Sequence, residues 1–246
     1  MQETTKKYLP VIIFLAVIVV VGIIIFAVSD KNSSSTASGN NQKNNQPQVS
    51  ASTENSDPID NINQLWSKGN SKAKVQITEY SDFQCPYCKK GADTMSQIFD
   101  KYKDQIYVTF SHFPLTSIHQ NAFNAAKAAE AAGYQGKFWE MHDLLFANQS
   151  NLTLDDFISY AKKLGLDVDK FEKYYNNTLI ADKITNMQKD TESKSFDEIA
   201  LDKDGNIIDK GQAKIEGTPA YVINGKLVVG AYPADQFEKF ILNALK

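Results

Sequence analysis

The chain's two cysteines, Cys85 and Cys88, are separated only by Pro86 and Tyr87. A β-rich run over residues 74–80 ends just before them, and Pro86 opens a helical pattern with Met95, Ile98, Phe99 and Tyr102 on one face. Thiols so placed meet the unpaired N–H groups and the positive dipole end of a helix, and both favour a thiolate. A free thiol has a pKa near about 8.5, and cysteines in this setting fall to about 3.5–7.5. Holding the thiolate stabilises the reduced pair, so the disulfide becomes the more oxidising partner. Cys85, at the helix tip, is placed to form a mixed disulfide; Cys88, one turn in, is placed to resolve it. Pro86 fixes the first turn, and Tyr87 carries no charge near neutral pH. Three other readings compete. A structural staple across so short a loop gains only about 2 kcal/mol. A metal site needs four ligands, and only His112, His119 and His142 supply imidazoles, so no metal is expected. Two free buried thiols do not suit an oxidising compartment.

The surrounding pattern says how this motif is held. Residues 105–111 read as a second strand, so 74–111 is strand, helix, strand, a βαβ unit with a parallel pair. Residues from about 117 to 194 read as entirely helical. An alanine-rich segment, 121–132, stops before Gly133, read as its C-cap. Phe138, Met141, His142, Leu145 and Phe146 form an i, i+3, i+4, i+7, i+8 stripe, with His142 read as core. Thr153 and Asp156 form a capping-box pattern for a helix ending at Gly165. Strands return at 199–201 and 207–208, then at 220–223 and 226–229 around Asn224-Gly225, before an amphipathic helix over 235–245. Asp202, Asp204 and Asn206 have calcium-loop spacing but lack the glycine required at the sixth position, so a solvated hairpin turn is expected.

The N-terminus is of another kind. Residues 9–28 are 20 uncharged, largely apolar residues, about 30 Å of helix, which matches the hydrocarbon core of a bilayer. A cleaved signal peptide has a shorter apolar stretch of about 7–15 residues, so an uncleaved single-pass anchor is expected. Lys6 and Lys7 place residues 1–8 in the cytoplasm and the rest outside it. Residues 29–57, rich in Ser, Asn, Gln and Thr, read as a flexible extracytoplasmic linker. Residues 58–246 can bury one sizeable core. All 26 basic residues are lysines, so bidentate arginine forks are absent, and no nucleic-acid partner is expected.

Four pieces in order carry a family resemblance over residues 65–246: Ser81-Asp82-Phe83-Gln84-Cys85-Pro86-Tyr87-Cys88; His112-Phe113-Pro114-Leu115 with His119; Gln135-Gly136-Lys137-Phe138-Trp139-Glu140-Met141-His142; and Gly217-Thr218-Pro219-Ala220 with Ile223-Asn224-Gly225. Together they resemble the DsbA-like thiol–disulfide oxidoreductases of the thioredoxin-fold superfamily, here as a membrane-anchored member. The resemblance implies an α/β thioredoxin fold with an inserted all-helical subdomain, preceded by one transmembrane helix. It also implies a cis Thr218-Pro219 peptide facing the sulfurs and open to strand-like pairing with substrate. Glu79 becomes the buried acid beneath the active site, exchanging protons with Cys88. Tyr80, Phe83 and Tyr87 are expected to form an apolar rim; Phe83, Tyr87, Thr218 and Pro219 would contact substrate. The implied activity is disulfide introduction into exported proteins, without a cofactor, with a membrane redox partner resetting the pair. Tyr87 stands where the best-known strong oxidants carry histidine, and Cys-Pro-Tyr-Cys also resembles glutaredoxins. A reductase or isomerase is therefore the first alternative, and a non-catalytic binding or chaperone module with an inert disulfide the second.

Overall fold

The computed structural model describes residues 57–246. The apolar run at 9–28 and all but the last residue of the expected linker lie outside them. Among the described residues no helix is long and apolar enough to cross a membrane. Asp57, read as linker, belongs to the folded unit: it caps the short 3₁₀ turn Pro58–Asn61 and bonds Lys173 Nζ at 2.7 Å and the Tyr174 hydroxyl at 2.6 Å.

The scaffold of the cysteine motif is β2 (Val75–Ser81), α1 (Pro86–Tyr102) and β3 (Ile106–His112), with β2 and β3 parallel from Val75↔Ile106 to Ser81↔His112. A short β1 (Trp66–Gly69) pairs antiparallel on the far side of β3. Five helices follow: α2 (Ala122–Gly133), α3 (Phe138–Ala147), α4 (Leu154–Lys163), α5 (Val168–Tyr175) and α6 (Thr178–Ser193). The chain returns through β4 (Phe196–Leu201), β5 (Ile207–Ala213), β6 (Ala220–Ile223), β7 (Lys226–Val229) and α7 (Ala234–Leu245). The seven strands form one sheet in the order β1-β3-β2-β6-β7-β4-β5. This is the expected mixed α/β fold with a helical insertion.

Two differences from the sequence reading have plain causes. β1 offers only one buried residue, Trp66, so it carries no alternation; pairing with β3 makes it a strand. β4 and β5 are longer than their apolar positions suggest, because Asp209, Lys210, Gly211 and Gln212 lie on an exposed edge held by backbone pairing to β4. The Asp202 loop is the expected hairpin turn: Asp202 Oδ1 accepts the N–H groups of Asp204 at 2.9 Å and Asn206 at 2.8 Å.

Packing places the insertion. On one face of the sheet, Val75, Ile77, Ile106 and Val108 pack under Met95 and Ile98 of α1 and Phe237, Phe240 and Ile241 of α7. The alanines of α2 are buried on nearly every side, because a methyl side chain lets neighbouring helices approach closely. The stripe on α3 is buried as expected, and Thr153 and Asp156 form a complete capping box for α4. Gly133 is not the C-cap of α2 but its last residue. A Cβ there would meet the Trp66 ring at 2.5 Å, and positive φ falls instead at Gly136, 76°. Trp66 cannot retreat, for it stacks on Phe138 at 5.4 Å and donates Nε1–H to Glu130 at 2.9 Å.

Glu130 ties the insertion to the sheet. Fully buried, it accepts from Trp66 on β1, from Lys183 Nζ on α6 at 2.7 Å, and pairs with His112 Nε2 on β3 at 3.0 Å. Burial alone would push the Glu130 carboxyl up, but His112 and Lys183 outweigh it and hold the group below its ordinary value. Substituting Gly133→Ala gains helix propensity but drives a methyl into the locked Trp66 ring. The variant should lose about 1–3 kcal/mol in urea denaturation; equal or greater stability would show that Trp66 can move.

Candidate active site at the head of α1

Cys85 is the N-cap residue of α1, with φ −72° and ψ 124°, and makes no side-chain capping bond; Pro86 occupies the first turn. Both cysteines are thiols in the structure and both are buried, Cys85 4% exposed and Cys88 not at all. The Cys85 Sγ lies 3.6 Å from the Thr218 carbonyl oxygen, and the Asp82 N–H points to Cys88 Sγ at 3.4 Å. The two sulfurs have opposite electrostatics. A hydrogen bond from the Cys88 thiol, helped by the N–H groups of Cys88 and Tyr87 and by Thr218, overcomes burial and lowers the Cys85 thiol to about 6. Burial pushes the Cys88 thiol upward, and a neighbouring Cys85 thiolate pushes it further. One sulfur is poised as a thiolate and the other as its donor.

The Thr218-Pro219 peptide is cis. Its loop sits against α1 at Gly91, where a Cβ would run into the Tyr221 hydroxyl and lie 3.2 Å from the Pro219 ring. Gly91 and Tyr221 were not among the expected site residues; a glycine one turn past Cys88, inside a helical segment, is the signal that points to them. Glu79 is buried, as expected, at 1% exposure, and its ladder partner on β6 is Tyr221. Burial raises the Glu79 carboxyl, with His142 and Lys68 pulling the other way. Burial likewise raises the Tyr221 phenol, reinforced by Glu79 and Cys88.

A polar frame fixes the loop before Cys85. Asp82, 1% exposed, accepts the Gln84 N–H at 2.7 Å on one oxygen; its other oxygen takes the Leu115 N–H at 2.9 Å and meets His119 Nδ1 at 2.8 Å. Gln84 Oε1 accepts from the Asn121 N–H at 2.7 Å, which explains why the segment before α2 is a held loop and not helix. From beyond α3, Gln149 Nε2 donates to the carbonyls of Phe83 and Cys85 at 2.9 and 2.8 Å. Asp82 stands in the motif itself, whereas Gln149 lies 64 residues from Cys85 and has no local signal.

The expected apolar rim is only partly present. Tyr87 is 61% exposed, with Lys90 Nζ 5.4 Å from its ring centroid. Phe83 is instead core: it stacks on Phe110 at 5.2 Å and packs on Phe146 at 4.9 Å, so it offers no face to a substrate. Tyr80 points to the opposite side of the sheet, among Phe113, Ile215, Ala220 and Leu227. Strand alternation separates it from Glu79 and Ser81. Pro86 is exposed, Thr218 half-buried and Pro219 buried.

A dithiol at a helix head, opposite a cis-proline loop, is thus held in a thioredoxin-like fold. The sequence matches the family described as Thioredoxin over residues 60–243, and the chain belongs to that family. Solved structures share the fold. A thioredoxin-like oxidoreductase from Silicibacter pomeroyi DSS-3 superposes with a TM-score of 0.58 at 20% identity, covering 77% of this chain and 96% of that one. The thiol-disulfide exchange protein alpha-DsbA2 from Wolbachia pipientis gives 0.59 at 19% identity, covering 77% and 91%. Among curated proteins, a Na(+)/H(+) antiporter NhaA 1 from Salinispora arenicola is 36% identical over 177 residues, 72% of this chain. The chain spans only 24% of that relative's length.

The two thiols should part in chemical modification. Alkylation of Cys85 in the reduced protein should rise as pH passes through about 6, while Cys88 stays unreactive. The Cys85 thiol is lowered from 9.0, so its stabilisation of the reduced fold is complete above about pH 9 and is lost as pH falls through about 6. Urea midpoints of the reduced protein should therefore fall across that window relative to the oxidised protein. Equal alkylation of both thiols, or an alkylation midpoint near 9, would contradict the asymmetry.

Proposed function

We propose that the protein is a membrane-anchored, extracytoplasmic disulfide oxidoreductase that donates the Cys85–Cys88 disulfide to exported proteins. The observation that carries this reading is the opposed pull on the two thiols. A thiolate held at about 6 is a good leaving group, and it stabilises the reduced pair relative to the disulfide. A substrate thiolate attacks Cys85 Sγ; the Cys85–Cys88 bond breaks and Cys88 leaves with the electron pair. Its thiolate takes a proton, for which the raised Glu79 carboxyl is the buried donor. A second substrate thiolate then attacks the substrate sulfur of the mixed disulfide and expels Cys85 as the thiolate. The substrate loses two electrons and the pair gains two, so an electron-accepting partner must reoxidise it; a membrane redox protein fits an anchored enzyme. The half-buried Thr218 and exposed Tyr87 are the faces available to an extended substrate.

The outward topology rests on the uncharged run at 9–28 and on Lys6 and Lys7 before it. After mild reduction of intact cells, a membrane-impermeant maleimide should label Cys85 of the full chain; labelling only after lysis would place the domain inside. Cys85→Ser should abolish dithiol oxidation, and Cys88→Ser should accumulate mixed disulfides with exported proteins. Retained activity in Cys85→Ser would end the mechanism. The equilibrium potential of the pair fixes the direction of exchange: a value near about −120 mV marks a disulfide donor, and one near about −270 mV a reductant.

A further inference from the structure

One side chain of the helical insertion reaches the backbone of the outer cysteine. Gln149 Nε2 donates to the Cys85 carbonyl at 2.8 Å and to the Phe83 carbonyl at 2.9 Å. An amide nitrogen carries two N–H groups, and both are used. Each goes to a carbonyl of the short stretch that joins β2 to α1. The Cys85 carbonyl also accepts the Lys89 N–H at 3.2 Å, the first turn bond of α1. Two donors, one from the helix and one from the insertion, therefore hold this carbonyl. They hold with it the ψ of 124° that makes Cys85 the N-cap.

Gln149 is itself aimed by a closed turn. It follows Asn148, the C-cap of α3, whose Nδ2 donates to the Leu144 carbonyl at 2.8 Å. The Asn151 N–H returns to the Asn148 carbonyl at 2.8 Å. The Tyr160 hydroxyl of α4 donates to the Asn151 carbonyl at 2.8 Å. Leu152 is buried, and the capping box at Thr153 starts α4. The insertion meets the same stretch a second time where the Phe83 ring packs on Phe146 at 4.9 Å. A half-buried glutamine that spends both N–H groups on one stretch, from a turn closed by three other hydrogen bonds, is part of the site's construction.

We propose that Gln149 is a positioning residue for disulfide exchange, holding the Cys85 backbone so that its sulfur stays at the N–H groups of Tyr87 and Cys88 once the disulfide is open. This deepens the oxidoreductase reading above and rests on it. In the oxidised pair, the covalent bond to Cys88 holds the Cys85 sulfur. When a substrate dithiol has been oxidised, the pair has gained two electrons and Cys85 is expelled from the mixed disulfide as a thiolate. No covalent bond then holds the sulfur, and its charge is stabilised only while the helix N–H groups point at it. Gln149 also meets the negative ends of two nearby carbonyls with a donor. It acts through the Cys85 backbone and not on the sulfur itself. Because it favours the reduced pair over the disulfide, its loss makes the pair a weaker oxidant.

The titratable groups near Cys85 are Cys88, Lys89 and Lys90 on α1, and Asp82 with its partner His119 in the loops beside it; the cis-proline loop contributes the uncharged Thr218. Gln149 bonds to none of these side chains, so replacing it leaves their charges as they are.

The test is alkylation of the reduced full chain in detergent with iodoacetamide, as a function of pH. Gln149→Met keeps the length of the side chain but no donor. Its Cys85 alkylation midpoint should rise by about one pH unit from the wild-type value of about 6. In glutathione buffers at neutral pH, its dithiol–disulfide equilibrium should move about fivefold toward the disulfide. Gln149→Glu keeps the shape, loses the donor when ionised and adds a charge. It should shift the midpoint in the same direction and further, and it decides the matter if Gln149→Met does not fold. A glutamine that only packs would change the urea midpoints of the oxidised and reduced protein alike and leave the alkylation midpoint where it was. That result in a folded variant would overturn this proposal alone. A wild-type chain that exchanges no disulfide at any pH would overturn the functional reading and this proposal with it.

Discussion

The opposed pull on the two thiols at the head of α1 sets what this site can do, and it works only while the sulfurs sit in unlike surroundings. Cys85 is the N-cap, where helix N–H groups converge; Cys88 is one turn deeper, where no water can solvate a charge. Much of the surrounding structure consequently serves to fix the tip. Asp82 holds the turn before it, Gln149 takes two carbonyls of the loop between β2 and the helix, and Gly91 lets the cis-proline loop close on the helix.

The helical insertion is part of this fixation. Its central helix, α2, carries a buried carboxylate that meets β1, β3 and α6 through Trp66, His112 and Lys183. Buried ion pairs of this kind add little net stability, but losing one partner is costly, so they make one docking geometry preferable to its neighbours. His112 belongs to β3, whose register with β2 sets the height of Glu79 and Ser81 beneath Cys88. The orientation of the insertion and the level of the buried acid are thus fixed by the same strand.

How much of this could be read from the residues depends on how local the cause is. The βαβ unit, the capped α4 and the Asn224-Gly225 hairpin each follow from a few neighbouring residues, and they appear where expected. β1 and β5 have no such signature, since their strand character comes from a partner's backbone. Gly133 looked like a helix stop because its short-range context resembles one; its cause is an indole ring 67 positions earlier. Phe83, expected at the rim, lies two residues before Cys85, yet its ring goes inward onto Phe110 and Phe146. Gln149 illustrates the limit: nothing around it distinguishes it from any other surface glutamine.

The β4–β5 hairpin forms the rim of the sheet on the side away from β1, so that β7 is an interior strand. This rim is a poor template for another chain. Asp209 Oδ1 takes the Gly211 N–H at 2.7 Å, a bulge interrupts the ladder between Glu198 and Ile199, and Lys210 places a charge on the edge. Sheet margins that are ragged, charged and short of free donors resist edge-to-edge growth. The hairpin therefore leaves the β5 edge of the sheet a margin to which a second copy of the chain would add a strand only with difficulty.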